Sequence, residues 1–321
     1  MTKQDYENIA YLIDKNDWDD CQTVQRDIYR IEQIQGTAFD SDYNCYKVQV
    51  FPKNHLAPVM LSSKDIHTLI VKITHPREGY ILGTLLNKHF YVPKIEIVFP
   101  YKNNQIMLFE QFIPGKELYS ISDLDPWFKA TQHLANLHSE FLYIDQKDST
   151  HNNIIGVSDA INQKIYRAKC NIYDHPTWVK YMISVKQRLA VAPKTLIHGD
   201  LFPTNILSND NELFFVDWAD ASIYAYMMDI GRLTAIIDKK TLKPMCPCPA
   251  DVITKYYDYI KTALQIDYAD YLNDIRMAQF IELANLYIPQ GSFGSLGMNK
   301  EYNKVVENQI NEIVAGYYKQ N

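Results

Sequence analysis

The stretch "LIHGDLFPTNIL" (residues 196–207), followed by "FFVDWADA" (214–221), decides how this chain is read. "TLIHGD" and "LFFVDW" are short apolar runs, expected as two strands around a polar turn at 208–212. Asp200 and Asn205 then lie on the loop leaving one strand and Asp217 ends the next, so such a hairpin brings all three to one rim. A helix cap, a turn Asn and a salt bridge would explain each residue singly. They do not explain the spacings together. Phosphoryl transfer needs this set: a carboxylate to orient or deprotonate the accepting hydroxyl, and hard oxygen ligands to hold Mg²⁺ against nucleotide phosphates.

The chain has 321 residues, 47% of them hydrophobic and 22% charged, a globular composition too long for one small core. Its net charge of -6 argues against non-specific nucleic-acid binding, which needs a basic surface to displace counterions. The opening "MTKQDYENIAYLIDKNDW" is charged throughout and lacks the apolar core of a secretory signal, and no window approaches a membrane span. The expected location is the cytoplasm, with no membrane or nucleic-acid partner. Five scattered cysteines (Cys21, Cys45, Cys170, Cys246, Cys248) read as reduced thiols, and "PMCPCP" as loop rather than a zinc site.

The first 112 residues read as strands plus helix. Residues 5–13 form a short amphipathic pattern; 28–35, 45–51, 68–73, 94–101 and 105–112 alternate or run apolar as strands do. Between the third and fourth, "REGYILGTLLNKH" (77–89) places Tyr80, Ile81, Leu85 and Leu86 on roughly one helical face, with Glu78 in the first turn, where the helix dipole favours a carboxylate. At "IPGKEL" (113–118) Pro and Gly end the strand, and helical periodicity dominates thereafter, notably over 127–143 and 251–287.

"HGDLFPTNIL" with "FVDWADA" resembles the signature of the aminoglycoside phosphotransferase and choline kinase-like family. The resemblance, spanning about residues 30–235, implies an α+β, two-lobed protein-kinase-like fold. A small antiparallel-sheet nucleotide-binding lobe would occupy residues 1–112 and a mainly helical catalytic and substrate-binding lobe residues 113–321. It further implies Asp200 as catalytic base, Asn205 and Asp217 as Mg²⁺ ligands, and His198 and Asp229 as structural support. Lys72 in "LIVKI" would contact the phosphates of ATP or GTP, steadied by Glu78. "MLFEQFIPG" resembles the family's hinge, by which the Glu110 C=O and Phe112 N–H would hold the base. His138, in "HLANLH", reads as a satisfied interior histidine.

Some features depart from the family. The Gly-rich phosphate loop is reduced to Gly36, with Ser41, Asp42 and Asn44 as polar lining, and no P-loop motif is present. Phe202 stands where many relatives carry His, Ser222 stands where many carry Gly, and the stretch 51–65 is long for a hairpin connection. The activation-segment pattern of protein kinases is missing after Asp217. The expected reaction moves the γ-phosphoryl to a small-molecule hydroxyl. Residues 251–282 carry six acids against three bases, which suits a cationic, antibiotic or amino-sugar-like acceptor. Five tyrosines in the same region (Tyr256, Tyr257, Tyr259, Tyr268, Tyr271) keep choline in view, through cation–π contacts. The alternatives are a choline or other metabolite kinase and a non-catalytic kinase-like binding module.

Overall fold

The protein is described from a computed structural model, which covers residues 3–15, 26–34, 45–52, 67–142, 159–209, 212–289 and 300–320. The chain divides into two compact units, Met1–Pro114 and Gly115–Asn321. In the first, helix α1 (Lys3–Lys15) precedes strands β1 (Arg26–Ile34), β2 (Cys45–Pro52) and β3 (His67–Thr74). Helix α2 (Pro76–Asn87) follows, then β4 (Ile95–Pro100) and β5 (Ile106–Gln111). The five strands form one antiparallel sheet in the order β1-β2-β3-β5-β4.

Period-two alternation explains how this sheet is covered. Tyr46, Val48 and Val50 of β2, Leu69, Val71 and Ile73 of β3, and Met107 and Phe109 of β5 are buried with Ile9, Leu12 and Ile13 of α1. The intervening positions face α2: a Cβ built on Gly79 would lie 2.9 Å from Ile106 Cδ1 and 3.9 Å from Leu108 Cδ1. Helix α2 starts where Pro76 occupies its first turn and the His75 Nδ1 accepts from the Arg77 N–H at 3.2 Å. Lys72, one residue from Val71 and Ile73, therefore belongs to the α2 side of the sheet.

The second unit holds β6 (Lys116–Glu117), α3 (Leu124–Glu140), α4 (Asp159–Asn171), α5 (Pro176–Val191) and β7 (Lys194–Ile197). It continues through β8 (Ile206–Asn209), β9 (Glu212–Phe215), β10 (Ser222–Ala225), α6 (Met227–Ala235), α7 (Pro249–Leu264), α8 (Tyr268–Leu286) and α9 (Lys300–Gln320). The helical pattern over 251–287 is broken between α7 and α8 by Gln265, whose φ of 54° ends α7, and by Asp267, whose carboxylate caps α8 through the Asp270 N–H at 2.8 Å. Residues 245–248 of "PMCPCP" lie outside helix and strand, and burial pushes the Cys246 thiol up to about 12.

One sequence expectation is corrected. "TLI" and "LFF" do not pair with each other: β7 pairs with β10, with Ile197 opposite Ser222, while β8 pairs with β9. The loop 198–205 thus connects two different sheets. The residues between the two expected strands include a further strand, "ILSN", which is the partner of "ELFF". Gly36, Ser41, Asp42, Asn44 and most of the stretch 51–65 lie outside the described residues. Among the described residues no helix is long and apolar enough to cross a membrane.

Helix α6 packs closely on α8, where a Cβ on Gly231 would meet the Ala278 Cβ at 2.4 Å. Gly231→Ala is expected to cost roughly 1–3 kcal/mol by overpacking. Gly316→Ala in α9, where a new Cβ meets nothing within 4 Å, should instead stabilise by about 0.5–1 kcal/mol. Urea unfolding of the two variants checks the opposite signs.

Candidate active site

In the first unit, Lys72 Nζ lies 3.1 Å from Glu78 Oε1 and 3.4 Å from Glu110 Oε2. Glu78 is held in turn by the Thr74 hydroxyl, 2.6 Å from Oε2. Both carboxylates are buried, whereas the lysine side chain retains 13% exposure. Geometry brings Lys72 and Glu78 together because β3 presents Lys72 toward α2, and Glu78 is in the first turn of that helix. The Glu110 carboxylate joins them because Glu110 is paired with Ile70 on the adjacent strand, at a position that faces the same side. Sequence reading assigned Glu110 only a backbone role. The Phe112 N–H donates to the Thr68 C=O at 3.4 Å.

In the second unit the loop after β7 hangs on one buried carboxylate. Asp229, in the first turn of α6, accepts from the His198 N–H at 2.7 Å and the Gly199 N–H at 3.0 Å. His138 Nε2 lies 3.2 Å from the same carboxylate, and its Nδ1 lies 2.6 Å from the Tyr256 hydroxyl. A neutral imidazole satisfies both contacts by donating from Nε2 and accepting at Nδ1. Burial pushes the Asp229 carboxyl up, but the hydrogen bonds from His138 and from the His198 N–H hold it below the ordinary range.

Gly199 has φ +80, and a Cβ there would stand 2.4 Å from the Asp220 carbonyl oxygen. Glycine therefore satisfies both the backbone and the space at this turn. His198 fastens the turn to the strand end, donating from Nε2 to the Val216 C=O at 2.9 Å while its Nδ1 accepts from the Asp200 N–H at 3.3 Å. Its ring centroid is 4.5 Å from that of Trp218. Asn205 donates from Nδ2 to the Asp200 C=O at 2.8 Å and to its Oδ2 at 3.3 Å, and its own C=O accepts from the Val216 N–H at 3.0 Å. Asp200, Asn205 and the residue preceding Asp217 are thus tied together directly. Asp217 is exposed, in the left-handed region at φ 68°.

Sequence reading missed the cations of this site. Arg232 on α6 pairs with Asp200 Oδ1 and, at 2.5 Å, with Glu282 Oε2. Its guanidinium lies 3.9 Å from the centroid of the Phe202 ring. Lys164 of α4 lies 3.1 Å from Glu282 Oε1 and donates to the Gly199 C=O at 2.9 Å. Burial pushes the Asp200 carboxyl up, but the charges of Arg232 and Lys164 hold it below the ordinary range. Asp220 has the opposite balance: burial, with the charges of Asp200 and Asp217, raises it to about 6. A signal for Lys164 existed, since it falls on the same helical stripe as Ile161 and Ala168, both buried.

The acidic segment 251–282 also looks different once folded. Asp274 accepts from Arg188 Nε at 2.6 Å and from the Tyr226 hydroxyl at 2.9 Å, and Glu282 is paired with Arg232 and Lys164. The pairing cations come from outside the segment, so its sequence charge overstates its field. Among the described residues no group of three or more His, Cys, Asp and Glu is arranged to hold a metal. The donor set does fit a two-ligand Mg²⁺ site, because the Asn205 Nδ2 is committed to Asp200 and leaves Oδ1, a hard donor like the Asp217 carboxylate.

Asp229→Ala is expected to lower stability by about 3–5 kcal/mol, because the His198 and Gly199 N–H groups lose a buried acceptor. Asp229→Asn, which keeps one acceptor oxygen, should lose less in urea unfolding. Asp220 titrates near 6 rather than 3.8, so the folded chain holds a proton that the unfolded chain releases. Its contribution is present at low pH and lost as pH rises through about 6. In thermal melts without divalent metal, Asp220→Asn should match the parent near pH 4 and exceed it near neutrality. A difference independent of pH would contradict this balance.

Comparison with known proteins follows the same lines. The model of the phosphotransferase enzyme family (APH) matches residues 176–244, which include the loop, the β8–β9 hairpin and α6. No curated protein sequence matches the chain. Among solved structures, the aminoglycoside phosphotransferase APH(2")-IIIa in its GDP and kanamycin complex is similar at TM-score 0.58 and 13% identity, covering 98% of this chain and 99% of that one. Amicoumacin kinase, solved with AMP-PNP, Ca²⁺ and Ami, gives TM-score 0.58 and 13% identity over 98% of this chain and 94% of that one. Choline kinase from Cryptosporidium parvum gives 0.56 and 14% over 98% and 96%. The chain has the protein-kinase-like fold shared by these small-molecule kinases, and over residues 176–244 it matches the phosphotransferase enzyme family.

Proposed function

We propose that the protein is a small-molecule kinase that transfers the γ-phosphoryl group of ATP or GTP to a hydroxyl. The observation that carries this reading is the direct linkage of Asp200, Asn205 and Val216, next to Asp217, with Arg232 anchored on Asp200. Arg232 keeps Asp200 ionised and holds Oδ1, so Oδ2 is the oxygen presented to an acceptor hydroxyl. As that hydroxyl oxygen forms its bond to the γ-phosphorus, the bridging P–O bond breaks, the nucleoside diphosphate leaves, and the hydroxyl proton passes to Asp200. Lys72, set by Glu78 and Glu110, is assigned to the nucleotide phosphates. Asn205 Oδ1 and Asp217 would hold Mg²⁺, which neutralises phosphate charge when bound.

The acceptor is read as an antibiotic or amino-sugar-like hydroxyl compound. The pairing of Asp274 and Glu282 with cations favours a second reading, a neutral or weakly charged metabolite, because less negative field remains to attract a polycation.

Release of ADP or GDP with Mg²⁺, measured across aminoglycosides, macrolides, choline, homoserine and methylthioribose, tests the assignment. Asp200→Ala should lower turnover by roughly 10²–10⁴-fold with nucleotide binding retained. Asp217→Ala should weaken Mg²⁺-dependent nucleotide binding in calorimetry. Turnover by Asp200→Ala near that of the parent would remove Asp200 from its role.

A further inference from the structure

Helix α4 has two unlike faces. Ile161, Lys164 and Ala168 are buried, with Lys164 reaching Glu282 and Gly199, whereas Asn162, Tyr166 and Lys169 fall on the opposite side. That opposite side lines a cleft of about 550 Å³, bounded also by Lys186 of α5, by Lys194 at the start of β7 and by Tyr224 of β10. The volume lies within the range of small-molecule sites, roughly 300–1,000 Å³. No Asp or Glu lines it. Among the described residues, none of its three lysines has a carboxylate partner.

Lys194 is the informative member. It is partly buried, donates to the Leu189 C=O, and holds its ammonium 5.2 Å from the Tyr224 ring centroid. Burial and the nearby charge of Arg188 push its pKa down, while Arg188 itself is already engaged by Asp274. A charge withdrawn from water is ordinarily paired. Here the charge that acts on it, Arg188, has the same sign, and the two other charged residues lining the cleft, Lys169 and Lys186, are also cations. Tyr166, 68% exposed, and Tyr224 add aromatic surface alongside the ammonium groups.

We propose that this cleft is a binding site for a ring-bearing phosphate monoester, with the phosphate held by Lys169, Lys186 and Lys194 and the ring lying against Tyr166 and Tyr224. The site is distinct from the Asp200 cluster, toward which the other face of α4 points, and the proposal stands whether or not the protein is a kinase.

The test is calorimetric titration of the full chain with phenyl phosphate, with inorganic phosphate and phenol as comparison probes. Phenyl phosphate should bind with Kd in the millimolar range or better and weaken with added salt. Inorganic phosphate should bind several-fold more weakly and phenol not at all. Lys169 and Lys186 are exposed, so the double variant Lys169→Glu/Lys186→Glu keeps the fold and should weaken phenyl phosphate by at least about tenfold, near 1.4 kcal/mol. Lys194→Met should do the same. Absence of phenyl phosphate binding up to about 10 mM overturns the proposal. So does binding that the charge-reversed variant retains, which would place the ligand elsewhere.

Discussion

The second unit is organised by the Asp229 carboxylate. One buried group accepts two consecutive backbone N–H donors, from His198 and Gly199, and is itself met by His138, whose other ring nitrogen reaches Tyr256. Helices α3, α6 and α7 thereby converge on the turn that carries Asp200. The turn has little freedom left, because Gly199 already sits against the Asp220 carbonyl and His198 is fastened to Val216. Asp200 owes its position to these contacts rather than to its own strand, which ends at Ile197.

The buried charges described in this unit are balanced by pairing across elements. Glu282 of α8 takes Arg232 from α6 and Lys164 from α4, and Asp274 of α8 takes Arg188 from α5. Buried pairs of this kind contribute little net stability against their desolvation, but loss of one partner is costly. Phe202 fits the same scheme, since its ring carries the Arg232 guanidinium that holds Asp200. The residue in place of the family's usual His thus has a local partner that the linear pattern could not show.

Strands and helix types were largely legible because the first sheet alternates cleanly: the apolar positions of β2, β3 and β5 are those that meet α1. The loop chemistry was legible as spacing, His198, Asp200, Asn205 and Asp217 lying close enough in sequence to be read as one unit. Pairing was less so. β7 finds its partner in "SIYA", beyond an intervening hairpin, and strands of four residues carry too little pattern to identify a partner. Arg232 stands in plain view three residues after Asp229, yet its target lies 32 positions away. Glu282, in the buried run "FIEL", illustrates the same limit: a charge in an apolar helix signals a partner without naming it.

The alternation of β3 has a consequence for how the chain can vary. Leu69, Val71 and Ile73 belong to the α1 core, and Lys72 between them meets Glu78 and Glu110 on the other side. A single-residue insertion or deletion within this strand would exchange the two sets, placing a lysine in the apolar layer and leaving both glutamates facing hydrocarbon. Changes of two residues would preserve both faces. Descendants of this sequence are therefore expected to alter the length of β3 only in even steps, while the neighbouring turns vary freely.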